Sequence, residues 1–279
     1  MSGPASPDQI RKVAEAIARE LMGGQLPGSD PSPAAAAGSG RPSSAMGDGI
    51  FATIDEALGA ARKAFFELSE VGLSTRYRFI DAIRVEMRTQ AEPLARFAVE
   101  ETGLGRVEDK IAKNLLVTNK TPGPEILEPL AVSGDAGLML TEPAPFGVIG
   151  AITPVTNPTS TIICNAIGML SAGNTVCFNV HPSAKRVSIH LIQMLNRLVM
   201  GAGGPANCIT SVAEPTIETA GALMNHPLTR LVVVTGGPGV VKAAMMTGKR
   251  AVCAGPGNPP AVVDASADLA KAGRDIVLG

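Results

Sequence analysis

The sequence predicts an α/β fold, a doubly wound, Rossmann-like parallel sheet preceded by an α-helical amino-terminal layer. Two patterns predict it. Helical periodicity fills most of residues 50–119, and from residue 137 onward short β-rich runs alternate with helices, as a parallel sheet with crossover helices requires. In addition, 45% of the 279 residues are hydrophobic, which is enough to bury the core of one large domain or two modest ones.

The first 49 residues predict an amphipathic helix on a flexible tether. Ser6 and Gln9 form a capping box and Pro7 takes the first helical position of a helix over residues 6–22. Its apolar stripe consists of Ile10, Val13, Ile17 and Leu21. Residues 23–49 are mostly Gly, Pro, Ser and Ala and are expected to form a linker. The helix is either a docking peptide for a partner's groove, which we favour, or the first helix of the fold.

The body of the protein, residues 50–279, is predicted to be one cofactor-binding domain. Thr53 and Glu56 form a second capping box ahead of the first helix of this body. The helical layer is predicted to consist of residues 57–68, 75–91, 93–102 and 106–119. The strands are predicted at residues 147–152, 175–179, 208–212, 231–235, 251–254 and 261–263. The helices between them are predicted at residues 160–170, 184–200, 217–225 and 239–247.

Composition excludes several classes of function. The 24 basic and 25 acidic residues are scattered along the chain, so no block of one charge is available to bind nucleic acid. No apolar run approaches the ~20 residues needed to span a bilayer, so we expect no membrane segment and a soluble, cytoplasmic protein. The four cysteines and three histidines have no ligand spacing, and no metal site is expected.

Two glycine-rich segments resemble nucleotide-binding turns, and their contexts differ. Residues 201–206 satisfy a G-x-G-x-x-A pattern but follow a helix, so these glycines are expected only to end that helix. Residues 235–239, Thr-Gly-Gly-Pro-Gly, lie between an apolar strand and a helix. There, backbone amides and a helix amino terminus can approach a pyrophosphate or nicotinamide. A tight turn without a ligand is the alternative.

A third motif, Ala-Ile-Thr-Pro-Val-Thr-Asn-Pro at residues 151–158, ends an apolar strand at the carboxyl edge of the sheet, where ligands of open α/β sheets bind. Four further segments accompany it: the run from Glu142, Gly-Asn-Thr at 173–175, the glycine turn, and Gly-Asn-Pro at 257–259. The order and spacing of these segments resemble those of the motifs in the aldehyde dehydrogenase superfamily. Residues 101–105, 156–161 and 181–185 resemble its coenzyme-A-acylating branch, the acetaldehyde and propionaldehyde dehydrogenases associated with bacterial microcompartments.

The resemblance implies a set of site residues. Asn157 is assigned as the amide donor to the substrate oxyanion, although hydrolytic members carry this Asn one place earlier, where Thr156 stands. His181 and Pro182 replace a Lys-Pro pair that binds the adenosine ribose, and a neutral imidazole can still offer a hydrogen bond there. The cofactor-binding set is Thr153, Pro154, His181, Pro182, Ser183, Thr235, Gly236, Gly237, Val240, Cys253 and Gly255.

Cys253 indicates which acceptor takes the acyl group. By resemblance it stands where hydrolytic members carry the glutamate that activates water, and without that carboxylate deacylation by water loses its general base. A thiolate needs less help, so transfer to coenzyme A is expected. The nucleophilic cysteine of the family is expected beyond Gly279, so that the catalytic domain and the carboxyl-terminal oligomerisation strand are missing. Residues 137–145 resemble the strand that pairs with that lost strand.

These expectations define the predicted function. The intact protein would be an NAD-dependent, CoA-acylating aldehyde dehydrogenase that acts on a short aldehyde and forms a homo-oligomer. NADP is not excluded, because Ser183 and Ala184 occupy the place of an acidic residue that would repel a 2′-phosphate. The helix over residues 6–22 would direct the enzyme to a shell or cargo protein in the microcompartment lumen. The alternatives are a catalytically inactive nucleotide-binding module and a hydrolytic aldehyde dehydrogenase.

Overall fold

A computed structural model describes residues 47–255, 257 and 260–278 of the chain. The predicted helix over residues 6–22 and the linker up to residue 46 lie outside the described residues. Residues 47–49, which the sequence predicts as the end of the linker, contact the folded body. The carboxylate of Asp48 forms a 2.8 Å ion pair with Arg197, and the side-chain amide of Asn196 donates a 2.9 Å hydrogen bond to the Asp48 carbonyl.

The amino-terminal region is helical, as predicted, and contains four helices: α1 (Ile54–Ser69), α2 (Leu73–Thr89), α3 (Ala91–Thr102) and α4 (Val107–Lys120). The predicted capping box is present at the start of α1. The Thr53 hydroxyl accepts from the Glu56 amide at 3.2 Å, and the Glu56 carboxylate accepts from the Thr53 amide at 3.0 Å. Helix α3 ends at Gly103, whose φ of 66° is the left-handed conformation that favours glycine.

The central sheet has six parallel strands: β1 (Ile50–Phe51), β4 (Val148–Ile152), β5 (Thr175–Asn179), β6 (Ile209–Val212), β7 (Thr229–Thr235) and β8 (Ala251–Ala254). Their order across the sheet is β1-β6-β5-β4-β7-β8. The chain leaves β4 in one direction to build β5 and β6, and later adds β7 and β8 on the other side. This reversal confirms the doubly wound fold and places a ligand crevice at the ends of β4 and β7.

Helices cover both faces of the sheet and form two apolar clusters. Helices α5 (Pro158–Ser171) and α6 (Lys185–Gly201) pack with α2 on the face that carries Ile149, Val176 and Phe178. Helices α7 (Ile217–Asn225) and α8 (Pro238–Met245) pack with α1 on the face that carries Val148, Cys177 and Val232. Alternate residues of each strand therefore enter opposite clusters, as the period of a strand requires.

Residues 137–145 resemble the strand that family members pair with the carboxyl-terminal strand, and the structure adds a second strand beside it. Strand β3 (Gly137–Thr141) pairs antiparallel with β2 (Leu130–Gly134). Strand β2 was not predicted from the sequence. Residues 142–145 are not part of either strand. All ten strand residues of this hairpin are exposed. The hairpin projects from the body and has no core of its own.

The predicted strand at residues 261–263 is wrong. These residues are exposed and unpaired in the described part of the chain. Only six residues separate them from the end of β8, and a parallel neighbour of β8 would need a crossover of a dozen or more. The last helix, α9 (Leu269–Leu278), starts after Asp268, whose carboxylate accepts from the Lys271 amide at 3.0 Å.

The glycines at residues 201–204 end a helix, as predicted. The amide of Gly204 donates to the Val199 carbonyl at 2.8 Å, and the amide of Gly203, with φ 89°, donates to the Met200 carbonyl at 3.0 Å. This pair of bonds is a Schellman motif and accounts for the glycines without a ligand. Among the described helices, none has the length and apolar character needed to cross a membrane.

Candidate functional site

The crevice edge of the sheet gathers the predicted cofactor residues because the carboxyl ends of parallel strands meet at one edge. Thr153 and Pro154 follow β4, His181 to Ser183 follow β5, Thr235 ends β7, and Cys253 lies in β8. Since β5, β4, β7 and β8 are successive neighbours in the sheet, residues predicted from four separate motifs line a continuous edge.

Thr153 follows β4 at the switch point, the place where the strand order reverses, and its hydroxyl has no hydrogen-bond partner in the described part of the chain. Its side chain is 3% exposed, and its Oγ1 has no hydrogen-bond partner among the described residues. The backbone amide of Thr153 is held separately, because it donates to the Asn179 carbonyl at 3.3 Å. A buried hydroxyl without a partner costs stability. The crevice therefore fits a ligand that brings a polar group to this oxygen.

The glycine turn after β7 brings the backbone close to the same crevice. The Gly236 amide donates to the Ala254 carbonyl at 3.2 Å, which joins the turn to the end of β8. A Cβ atom at Gly236 would lie 2.8 Å from Cγ1 of Val240, so glycine is the residue that fits. Gly237 then caps α8, and Pro238 takes its first position. This arrangement leaves backbone room beside a helix amino terminus.

His181 begins a single turn of 3₁₀-helix over Pro182–Ala184. Its Nδ1 accepts a 3.1 Å hydrogen bond from the Ser183 amide, which leaves the proton of the neutral ring on Nε2. Burial of the half-buried ring lowers the pKa of His181. The neutral ring therefore offers one N–H donor at the crevice edge. Ser183 is exposed beside it, whereas Ala184 is fully buried and faces the core.

Asn157, the predicted oxyanion donor, caps α5 and is half-buried. Its side-chain oxygen accepts a 3.2 Å hydrogen bond from Nζ of Lys113. Next to it, Nζ of Lys110 donates a 2.7 Å hydrogen bond to the Thr156 carbonyl. Neither lysine was predicted from the sequence, and the two lie one turn apart on α4. Their spacing on a predicted helix was visible, but a contact across more than forty residues was not.

The cysteines divide by their surroundings. Cys177 and Cys208 are buried, and burial raises the pKa of each thiol to about 12, so neither is a nucleophile. Cys164 is half-buried in a groove of about 440 Å³ that Phe146 and Ile149 also line. Cys253 is half-buried in β8, opposite Val234 in the strand register, and packs against the α1, α7 and α8 cluster. Gly255, two residues after Cys253, is exposed.

A polar network that the sequence analysis also missed fixes the end of β5. The Thr219 hydroxyl donates to Oδ1 of Asn179 at 2.6 Å, and Nδ2 of Asn179 donates to the Thr216 carbonyl at 3.2 Å. These bonds tie the end of β5, two residues before His181, to the start of α7. Among the described residues, no group of three His, Cys, Asp or Glu side chains could hold a metal ion.

Comparison with known proteins agrees with this architecture. Residues 37–279 match the model of the aldehyde dehydrogenase family. The acetaldehyde dehydrogenase (acetylating) of Escherichia coli is 50% identical over 240 residues, which are 85% of this chain and 51% of that protein. The propanal dehydrogenase (CoA-propanoylating) of Salmonella typhimurium is 45% identical over 234 residues, 84% of this chain and 50% of that protein.

A solved structure matches at the level of the fold as well. The propionaldehyde dehydrogenase of Rhodopseudomonas palustris, solved with bound CoA and an acylated cysteine, superimposes with a TM-score of 0.80 at 50% identity, covering 84% of this chain and 54% of that one. This chain spans about half the length of the curated relatives it matches. The match to the family model covers well over half of the chain, and the chain belongs to the aldehyde dehydrogenase family.

Proposed function

We propose that this chain is the cofactor-binding part of a dehydrogenase that oxidises a short aldehyde to its acyl-CoA thioester. One observation carries the proposal. The relatives that are 45–50% identical over more than four fifths of this chain are CoA-acylating dehydrogenases. Residues 37–279, which match the family model, include every strand whose end contributes to the crevice. When bound, NAD accepts the hydride that the substrate carbon loses.

In this proposal the chain's own residues bind and orient the cofactor. The orphaned Oγ1 of Thr153 receives a polar group of the cofactor at the switch point, with Pro154 beside it. The turn at Thr235, Gly236 and Gly237 lets the backbone approach closely, and Val240 packs behind it. His181 donates from Nε2 to a ribose hydroxyl, while Pro182 and Ser183 shape the rim of this subsite. All of these protein groups are neutral, so they would bind the cofactor without forming an ion pair.

Asn157 and Cys253 bear on two steps of the reaction, the formation of the acyl group and its release. Asn157 would donate from its side-chain amide to the oxygen of the reacting carbonyl, where negative charge develops. Cys253 occupies the place in which hydrolytic members carry the glutamate that activates water. Because Cys253 is a half-buried thiol packed beside an apolar cluster, it does not replace a carboxylate base. Release of the acyl group therefore falls to the thiolate of coenzyme A.

NAD is proposed as the cofactor, and NADP is the alternative to be measured. Lys185 is the nearest cation in sequence to Ser183, and its Nζ forms a 2.6 Å ion pair with Glu214. Glu214 is exposed and follows β6, so it adds negative charge to the rim. A 2′-phosphate would have to compete with this carboxylate for Lys185. Dissociation constants for NAD and NADP, measured by calorimetry, decide between them.

The proposal for the amino terminus rests on sequence alone. The apolar stripe of the predicted helix would pack into a groove of a microcompartment shell or cargo protein; it consists of Ile10, Val13, Ile17 and Leu21. The linker would leave the folded body free to move relative to the docked helix. This places the enzyme in the lumen of a microcompartment within the bacterial cytoplasm. A fusion of residues 1–46 to a fluorescent protein, expressed in a cell that makes microcompartments, tests this. Punctate signal that is lost with Ile10→Glu and Ile17→Glu supports it, and equal signal from both fusions refutes it.

Turnover is tested in a completed chain, in which residues 1–279 are followed by the second half of the Rhodopseudomonas palustris propionaldehyde dehydrogenase. We expect NADH formation from propionaldehyde that requires CoA, and propionyl-CoA as the product. The 279-residue chain alone should bind NAD weakly and form no NADH. Turnover by the 279-residue chain would show that one of its own cysteines is the nucleophile and would contradict the proposal.

A further inference from the structure

Helix α4 holds the segment that carries Asn157 at three points. Nζ of Lys110 donates to the Thr156 carbonyl at 2.7 Å, and Nζ of Lys113 donates to Oδ1 of Asn157 at 3.2 Å. One residue further along α4, Oδ1 of Asn114 accepts from the Thr159 hydroxyl at 2.9 Å. Residues 110, 113 and 114 lie on one face of a helix. That face therefore contacts three residues of a segment more than forty positions away.

The contact with Lys113 fixes which way the Asn157 amide points. An ammonium group only donates hydrogen bonds, so the amide oxygen must face Lys113 and the NH₂ group must point away from it. The nitrogen has one hydrogen bond among the described residues, a 3.5 Å contact to the Thr156 hydroxyl. That distance is at the upper limit for a hydrogen bond. The amide is thus held as a donor whose N–H groups are scarcely used within the chain.

Lys110 secures the backbone beneath this amide. Its side chain is 6% exposed, and burial, followed by the neighbouring charge of Lys113, lowers the pKa of its ammonium group. Room for it is provided by Gly105. A Cβ atom at Gly105 would lie 3.3 Å from Cε of Lys110, and φ there is 76°. A methionine would fill the same space without burying a charge. The hydrogen bond to Thr156, rather than packing, explains a lysine here.

We infer that Lys110 and Lys113 are positioning residues that hold Asn157 as the oxyanion donor, Lys110 through the backbone and Lys113 through the amide. The inference rests on the proposed function, because it assumes that Asn157 faces the reacting carbonyl. It adds α4, a helix outside the sheet, to the parts of the molecule that control the reaction. Its structural half, the orientation of the amide, can be tested without turnover.

The first experiment uses the 279-residue chain labelled with ¹⁵N at asparagine. The NMR signals of the Asn157 side-chain amide are identified by their loss in Asn157→Asp. Lys113→Met should shift or broaden this pair, because the acceptor bond is lost. Lys113→Arg, which keeps a donor, should largely retain it. Lys113 is exposed, so its replacement threatens the fold little, and Lys120→Met, at the end of the same helix, is the control.

The second experiment measures kinetics in the completed chain. Lys113→Met and Lys110→Met should each lower kcat roughly tenfold and leave the KM for aldehyde nearly unchanged, since they weaken an interaction made in the transition state. Lys113→Arg should recover most of the rate. An unchanged amide signal in Lys113→Met, or an unchanged kcat, overturns the inference. If the parent completed chain has no turnover, the proposed function fails, and the NMR result alone decides the positioning of Asn157.

Discussion

The carboxylate of Glu101 accepts a 2.7 Å hydrogen bond from the backbone amide of Val187, and its other oxygen accepts one of 2.7 Å from Arg186. These amides belong to the first turn of α6, which follows the turn that starts at His181. A carboxylate from α3 therefore caps a helix more than eighty residues away. The negative charge also lies at the positive end of the helix dipole.

Replacement of Glu101 with alanine should therefore lower the free energy of unfolding by roughly 1–2 kcal/mol, the usual cost of losing a cap. It should also weaken NAD binding, because the turn over residues 181–184 loses its anchor. Urea unfolding and calorimetry measure the two effects. Glu100→Ala is the matched control, since Glu100 is an exposed neighbour. Equal stability of the two variants would show that the cap contributes little.

The glycine turn gives a prediction about cofactor affinity. Gly236→Ala should weaken NAD binding about tenfold or more, because the added Cβ would lie 2.8 Å from Val240 and the turn would have to shift. Gly221→Ala in α7 is the control, since a Cβ there meets nothing within 4 Å. Both variants should fold, as circular dichroism can show. Unchanged affinity in Gly236→Ala would mean that the cofactor does not approach this turn.

His181 gives a prediction about pH. Its folded pKa lies below the ordinary 6.5 because of burial, so between those two values the unfolded chain binds more protons than the folded one. Stability should therefore fall as the pH drops from 6.5 towards the folded pKa. His181→Asn, which can still cap the turn, should remove this contribution, whereas His190→Asn should keep it. Melts recorded across this range that show the same slope in all three chains would contradict the assignment.

The hairpin of β2 and β3 gives a prediction about association. Its Leu138 and Leu140 are 74% and 59% exposed, and each strand has one edge without a partner in the described part of the chain. Such an edge is a template for pairing. The chain should therefore self-associate in sedimentation velocity, and Leu138→Lys with Leu140→Lys should reduce this. Val85→Lys with Leu116→Lys, which alters equally exposed apolar side chains on helices, should not. A monomer in every case would rule out the hairpin as an association surface.

Local sequence patterns predicted most of the helices and strands. They did not predict the contacts between segments that are distant in sequence. The capping box at Thr53 and the strand at residues 175–179 follow from neighbours in sequence and are found where predicted. Strand β2 was missed because residues 130–134 have no buried face, and the two-residue strand β1 is too short to leave a pattern. The false strand at residues 261–263 had a suitable composition but no partner within reach.

The candidate site divides in the same way. The motifs that follow β4 and β7 pointed to Thr153 and Gly236, and the family resemblance pointed to His181. The edge of a parallel sheet brings such residues together. The bonds of Lys110 and Lys113 depend on how α4 packs against α5, and no local signal specifies that packing. The same is true of Glu101, which was noted only as part of a family motif.

The most direct test of the proposed function is whether the acyl group is transferred to CoA or to water. Purified completed chain is mixed with propionaldehyde and NAD, with and without CoA, and the products are quantified by mass spectrometry while NADH is followed by absorbance. We expect one propionyl-CoA for each NADH, and little NADH when CoA is left out. NADH formed at the same rate without CoA, with free propionate as the product, would contradict the proposed function.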